Sequence, residues 1–210
     1  MTTDTIVARA TGAGAGAIAV VRLSGPQSFS IAQALIRDRS LPEPGRLAVR
    51  WLRDPSTEEA VDQAVVSVYA APKSYTGEDV VELSCHGGPL ASSRILAACE
   101  ALGARGAEAG EFTRRAYLNG RMDLIQAEAV ADLVEGDSEA LSRAALHQLD
   151  RGLSSRLAAL REEVIHLEAL LMHHIDFPDE DEPPVPLEQI VDKAEELGDR
   201  LAALAATAPE

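Results

Sequence analysis

The chain has 210 residues, of which 34 are acidic and 19 are basic, giving a formal net charge of −15. Residues 1–120 carry 13 acids and 12 bases, whereas residues 121–210 carry 21 acids and 7 bases. Acidic surfaces repel phosphate backbones, and the 3% aromatic content offers few rings for base stacking, which excludes a stand-alone nucleic-acid clamp. The change in charge predicts two domains, residues 1–120 and residues 121–210.

The N-terminal residues lack the basic and apolar regions of a signal peptide. No stretch approaches the ~20 apolar residues that a membrane span requires. Cys85 and Cys99 form no CxxC motif and are expected to be reduced thiols. These features predict a cytoplasmic protein that does not associate with membranes.

The first 120 residues alternate irregularly between β-rich and amphipathic helical segments. The pattern predicts strands over residues 5–9, 17–23, 47–52, 60–69 and 80–84, and helices over residues 27–36, 89–102 and 111–118. It also predicts a turn over residues 74–79. Irregular alternation favours an α+β fold over a doubly wound parallel sheet.

The remaining residues have only helical patterns. A helix over residues 123–135 is followed by a second, long helix, capped by Asp137-Ser138 and ending near Ile175, with Gly152 weakening it locally. Residues 178–186, rich in proline and acid, predict a stiff linker before a helix over residues 187–206. The long helix carries an apolar seam, which predicts a longer protein or a partner subunit. The seam comprises Leu149, Leu153, Leu157, Leu160, Val164, Leu167 and Leu171.

The run Gly12-Ala13-Gly14-Ala15-Gly16-Ala17 formally matches the dinucleotide motif G-x-G-x-x-A. That motif requires a helix immediately afterwards, whereas the following residues have a strand pattern. A flexible turn between two strands is therefore the favoured interpretation.

Two further clusters have chemical interpretations. Cys85 and His86 suggest a nucleophile and its base, but neighbours on an extended segment point to opposite faces, so we favour a strand-to-helix turn. His166, His173 and His174 lie near the acidic residues 176–182, where we favour a solvated helix end over a metal or hard-cation site.

Arg22 and Glu82 each interrupt an otherwise apolar strand pattern, and Arg114, Arg115 and Arg121 crowd the predicted domain boundary. A lone strand charge is often solvated. The alternative is a site for a polar, anionic small molecule, because arginine binds carboxylates and a carboxylate suits a ring edge with two N–H donors.

Several collinear motifs between residue 4 and about residue 180 together resemble one family, the bacterial tRNA-modification GTPases called MnmE or TrmE. They are DTIVARAT (4–11), AIAVVRLSG (17–25), SYTGEDVVELSCHGGP (74–89), GEFTRRAYLNG (110–120), DLIQAEA (123–129) and IDFPDE (175–180). The resemblance implies a folate-binding and dimerisation domain in residues 1–120, followed by the first part of a helical domain.

By this resemblance, Arg22, Glu82 and Arg121 contact 5-formyl-tetrahydrofolate or a related reduced folate. The family acts with a flavoprotein partner, MnmG, to add an aminomethyl-type group at carbon 5 of the wobble uridine of certain tRNAs. The resemblance also implies a homodimer, and GTP, Mg²⁺ and K⁺ in a GTPase domain.

Four departures from the family pattern qualify these expectations. The sequence has no G-x-x-x-x-G-K-[ST] motif, so the GTP, Mg²⁺ and K⁺ sites are expected outside these residues. The family's C-terminal cysteine motif is absent, Ala15 stands where many members have arginine, and Arg121 stands where lysine is common. A competing hypothesis is a non-enzymatic dimerisation or scaffold module that recruits a partner through the helical seam.

Overall fold

The computed structural model describes residues 4–37, 39–150, 152–177 and 185–206. The chain divides into two compact units between Ala131 and Asp132. This division is one of compactness; the predicted boundary between functional domains at residue 120 stays a prediction. No helix in the described ranges combines the length and the apolar composition needed to cross a bilayer.

The first unit consists of one mixed β-sheet with helices. Its strands are β1 (Ile6–Arg9), β2 (Ile18–Ser24), β3 (Leu47–Arg53), β4 (Ala60–Tyr69), β5 (Val80–His86) and β6 (Arg105–Gly106). Its helices are α1 (Ser28–Leu35), α2 (Pro89–Ala101), α3 (Glu111–Leu118) and most of α4 (Leu124–Glu135). The strand order is β3-β4-β5-β2-β1-β6, and every neighbouring pair is antiparallel except β1 and β6. The predicted α+β class is confirmed.

The hydrophobic core lies on the face of the sheet that packs against α1 and α2. Successive strand residues point to opposite faces, so alternate positions of the central strands are buried there. In β2 and β5 these positions are Ala19, Val21, Leu23, Val81, Leu83 and Cys85, each at most 2% exposed. The residues between them, including Arg22 and Glu82, therefore lie on the opposite face of the sheet.

The predicted strands and helices of the first unit match the observed ones to within a few residues, except that β6 was not predicted. This strand is only two residues long, Arg105 and Gly106, and pairs in parallel with the start of β1. A two-residue strand is too short to show a periodic pattern of apolar residues. Its backbone pairing depends on the position of β1 and not on its own side chains.

The second unit contains the helices α5 (Glu139–Leu149), α6 (Gly152–Asp176) and α7 (Leu187–Ala205). The predicted cap is confirmed, since the Leu141 backbone N–H donates to Ser138 Oγ at 3.2 Å. The prediction of one long helix is wrong, because α5 ends at Leu149 and α6 begins at Gly152. Aspartate and glycine are poor helix formers, and the His147 ring lies where a side chain on Gly152 would project.

The helix break divides the predicted apolar seam, leaving Leu149 in α5 and the other six members in α6. Within α6, Leu160 is 7% exposed, whereas Leu157 and Val164 are 39% and 44% exposed. The predicted linker residues 178–184 lie outside the described residues.

Candidate functional site

The site is centred on an ion pair between Arg22 and Glu82. These residues are directly opposite each other in the antiparallel pairing of β2 with β5, so the register of the sheet places them together. Arg22 Nε and Nη2 lie 2.8 and 2.7 Å from the same oxygen, Glu82 Oε1. Within the described residues, Glu82 Oε2 and Arg22 Nη1 have no hydrogen-bond partner, which leaves one acceptor and one donor of the pair available.

Two aromatic rings contact the guanidinium of Arg22. Its Cζ lies 5.0 Å from the centroid of the Tyr75 ring and 5.4 Å from that of Phe112. The hydroxyls of Tyr75 and Thr113 share a hydrogen bond of 2.9 Å, which ties Tyr75 to α3. The arginine is therefore held by a carboxylate and by two rings from different segments of the chain.

A cavity of about 340 Å³ adjoins this cluster. Its volume is within the range of small-molecule sites, which combine apolar walls with a few polar groups. The lining side chains other than alanine and glycine are Arg9, Arg22, Tyr75, Glu108, Phe112 and Thr113. The cavity thus has aromatic and polar groups suited to a planar, polar ligand.

The loop formed by residues 74–79, predicted as a turn, presents Tyr75 to the cavity. Ser74 Oγ donates to the Glu78 carbonyl at 2.6 Å, and the hydroxyls of Thr76 and Ser24 are 2.6 Å apart. Asn119 Nδ2 donates to the Thr76 carbonyl at 2.8 Å. These bonds fix both sides of Tyr75, so its ring is positioned before any ligand arrives.

Arg121 contacts the loop of residues 74–79 and not the Arg22–Glu82 pair. Its Nε donates to the Ser74 carbonyl at 3.1 Å. Its aliphatic stem packs on Gly77, where a Cβ would lie 3.0 Å from Arg121 Cγ. The structure therefore brings Arg22 and Glu82 together and shows Arg121 in contact with the backbone of the loop beside them. A role of Arg121 in ligand binding stays a prediction.

A buried network of charges lies beneath the loop and is centred on Arg115. This arginine is 1% exposed and contacts Glu111 at 3.1 Å, Asp4 Oδ1 at 2.8 Å and Glu78 at 3.2 Å. Arg105 adds bonds to Glu111 at 2.6 Å and to Asp4 at 2.8 Å. Hydrogen bonding from Arg105 is the main reason that the pKa of Glu111 falls to about 2, although burial opposes it.

The network corrects one part of the arginine hypothesis. Arg115 is surrounded by carboxylates and buried, so it is a structural residue and not a group that meets a ligand. Arg114 is 59% exposed and lies 3.6 and 3.7 Å from Glu108 and Glu111. Tyr75 and Phe112 were not predicted as site residues; their only signal in the sequence is that each is a ring inside a polar motif, in a chain with six Phe and Tyr residues.

Cys85 and His86 point to opposite faces at the end of β5, as predicted, and the chain then turns into α2. Cys85 is buried, its Sγ lies 3.4 Å from the Ala19 carbonyl, and burial raises the pKa of its thiol. The side chain of His86 is 75% exposed, and its Nδ1 lies 2.7 Å from Asp62 Oδ1. Burial alone would raise the pKa of Asp62, but its hydrogen bonds with His86 lower it.

The glycine-alanine run joins β1 and β2, which are antiparallel, so the predicted turn is confirmed and the dinucleotide motif lacks its helix. His174 Nε2 lies 2.7 Å from the Val185 carbonyl, and the His173 ring centroid lies 5.2 Å from that of Phe177. Among the described residues, no three histidine, cysteine or acidic side chains cluster as metal ligands would.

Comparison with known families gives two matches that together cover most of the chain. A family model described as "GTP-binding protein TrmE N-terminus" matches residues 5–121, and one described as "MnmE helical domain" matches residues 124–210. The family expected from the sequence motifs is thereby confirmed.

Curated relatives agree with the family models. The chain is 46% identical to the tRNA modification GTPase MnmE of Thermotoga petrophila over 94% of this chain and 43% of that protein. It is 40% identical to the tRNA modification GTPase MnmE of Levilactobacillus brevis over 99% of this chain and 45% of that protein. The chain thus spans less than half the length of these relatives. It belongs to the MnmE (TrmE) family of tRNA modification GTPases, whose N-terminal and helical-domain models it matches.

Proposed function

We propose that the first unit binds a reduced folate, such as 5-formyl-tetrahydrofolate, at the Arg22–Glu82 pair. The observation that carries the proposal is an ion pair with a free acceptor at Glu82 Oε2 and a free donor at Arg22 Nη1, next to a cavity with aromatic walls. A pterin edge offers adjacent N–H donors to a carboxylate, and an arginine suits the formyl or glutamate oxygens. Arg121, as in the resemblance, would complete the site.

The proposed role of this portion is to supply a one-carbon unit within a tRNA-modifying enzyme. The full-length protein would act in the cytoplasm with the flavoprotein MnmG on carbon 5 of the wobble uridine. GTP, Mg²⁺ and K⁺ would be bound by sequence outside these 210 residues, because the sequence has no P-loop motif. The basic surface for tRNA would come from the assembled complex, since the chain is strongly acidic.

Isothermal titration with 5-formyl-tetrahydrofolate tests the site. Glu82→Gln and Arg22→Gln are each expected to weaken binding by about 10- to 100-fold, because each loses charge-assisted hydrogen bonds of about 1.5–3 kcal/mol. The matched controls are Glu59→Gln and Arg94→Gln, which alter a second carboxylate–guanidinium pair, 3.5 Å apart, in the same unit. Equal affinity in the wild type and both site variants would refute the assignment.

We further propose that the first unit forms a homodimer through the outer face of its edge strand β3. Leu47, Val49 and Trp51 alternate along this strand and are 68%, 56% and 51% exposed. Large apolar side chains that line up on one open sheet face are typical of an interface. This apolar strip supports the dimerisation that the family resemblance implies.

Sedimentation velocity tests the dimer. The wild type is expected to sediment as a dimer and Trp51→Glu as a monomer, because the variant places a charge within the apolar strip. Leu90→Glu is the control, since Leu90 is 71% exposed but begins α2 on the helical side of the sheet. A dimer that survives Trp51→Glu, is lost on Val164→Glu and binds no folate would instead support the scaffold alternative.

A further inference from the structure

The guanidinium of Arg22 contacts two aromatic rings in addition to the carboxylate of its ion pair. Its Nε and Nη2 both point to Glu82 Oε1, at 2.8 and 2.7 Å. Its Cζ also lies within about 5.5 Å of two ring centroids, those of Tyr75 and Phe112. The arginine side chain is flexible, so an ion pair that is 22–23% exposed does not by itself hold it in one conformation.

Both rings are connected to α3 without the involvement of Arg22. Tyr75 is anchored to α3 through the Thr113 hydroxyl at 2.9 Å, and the loop that carries it is hydrogen-bonded on both sides. Phe112 lies in the first turn of α3, and the same helix carries the buried Arg115. Both rings are therefore held through α3 and can restrain the flexible side chain that contacts them.

We propose that Tyr75 and Phe112 are positioning residues that hold the Arg22 guanidinium in its ligand-binding orientation. They act through Arg22: the rings restrict its side chain so that Nε and Nη2 stay on Glu82 Oε1 while Nη1 and Glu82 Oε2 stay available to the ligand. Preorganisation of this kind raises affinity because the side chain loses less conformational freedom when the ligand binds. The inference rests on the proposed folate site, and it adds the means by which that site is kept in shape.

A double-mutant cycle with 5-formyl-tetrahydrofolate tests whether the rings act through Arg22. Tyr75→Leu and Phe112→Leu are each expected to weaken binding by roughly fivefold to tenfold, from the loss of a cation–π contact. Tyr75→Phe keeps the ring and is expected to bind within about twofold of the wild type. In an Arg22→Gln background, Tyr75→Leu should cause no further loss, since the group it positions is gone.

Tyr117→Leu is the matched control, because Tyr117 lies on α3, is 42% exposed and does not line the cavity. Circular dichroism and thermal melting of each variant confirm the fold. Additive losses in the Arg22→Gln background would show that the rings contact the ligand themselves and would overturn the inference. Undiminished binding in both single variants would also overturn it.

A second measurement needs no ligand, so it tests the positioning role even if the protein does not bind folate. In ¹⁵N-labelled protein, the chemical shift of the Arg22 Nε–H proton reports both its hydrogen bond to Glu82 Oε1 and the ring currents of Tyr75 and Phe112. Tyr75→Leu and Phe112→Leu should each change this chemical shift and speed the exchange of the proton with water. An Arg22 resonance that neither variant moves would refute the positioning role, whereas absent folate binding would refute only the proposed function.

Discussion

Replacing Arg115 with alanine is expected to lower the free energy of unfolding by about 3–5 kcal/mol. The substitution removes the central cation of the buried network and leaves the carboxylates of Glu111, Asp4 and Glu78 facing one another. Glu111 is 2% exposed, so water cannot replace the lost partner. Denaturant unfolding followed by circular dichroism measures the change at neutral pH.

The control is its neighbour in sequence, Arg114, which has the same charge but a different environment. Arg114 is 59% exposed and its closest carboxylate contacts are 3.6 and 3.7 Å, so Arg114→Ala is expected to cost less than about 1 kcal/mol. Similar losses in the two variants would contradict the view that burial of the network makes Arg115 important.

Acidification is expected to destabilise the first unit through Glu111. Its pKa is about 2 in the folded chain, against an ordinary value of 4.5, so the folded state binds this proton more weakly than the unfolded state. The contribution is complete above about pH 4.5 and is lost as the pH falls to about 2; a difference of about 2.5 in pKa corresponds to about 3 kcal/mol. Asp4 acts in the same direction, because its hydrogen bond to Arg105 also lowers its pKa.

Unfolding free energies measured from pH 7 to pH 2 test this dependence. Glu111→Gln is expected to be less stable at pH 7 and to have a shallower decline between pH 4.5 and pH 2, because the titrating group is absent. Parallel pH curves for the wild type and Glu111→Gln would show that other carboxyl groups cause the acid sensitivity.

The placement of Arg22 and Glu82 on the outer faces of their strands follows directly from local sequence patterns. Each charge occupies a position that alternates with apolar residues, which places it on the outer face of a strand. The patterns do not specify which strands are neighbours, yet antiparallel pairing of β2 with β5 sets these two residues directly opposite each other. The residue types predicted a site for a polar ligand, and the register of β2 with β5 explains why the two side chains are close enough to form an ion pair.

The remaining features of the site depend on contacts between segments far apart in the chain. Tyr75 and Phe112 reach Arg22 from a loop and from a helix, and neither sequence pattern indicates that approach. Arg115 resembles its exposed neighbour in sequence, and only the packing of α3 shows that it is buried. Helix propensity alone likewise did not predict that α5 ends at Leu149 and that α6 begins at Gly152.

A crystal structure of the chain grown with 5-formyl-tetrahydrofolate would show whether the folate binds at the Arg22–Glu82 pair. We expect electron density for the folate in the cavity next to this pair, with its pterin N–H groups within hydrogen-bond distance of Glu82 Oε2. Arg22 should keep its contacts with Tyr75 and Phe112 in that complex. Folate density elsewhere on the molecule, or an empty cavity at saturating folate, would contradict the account.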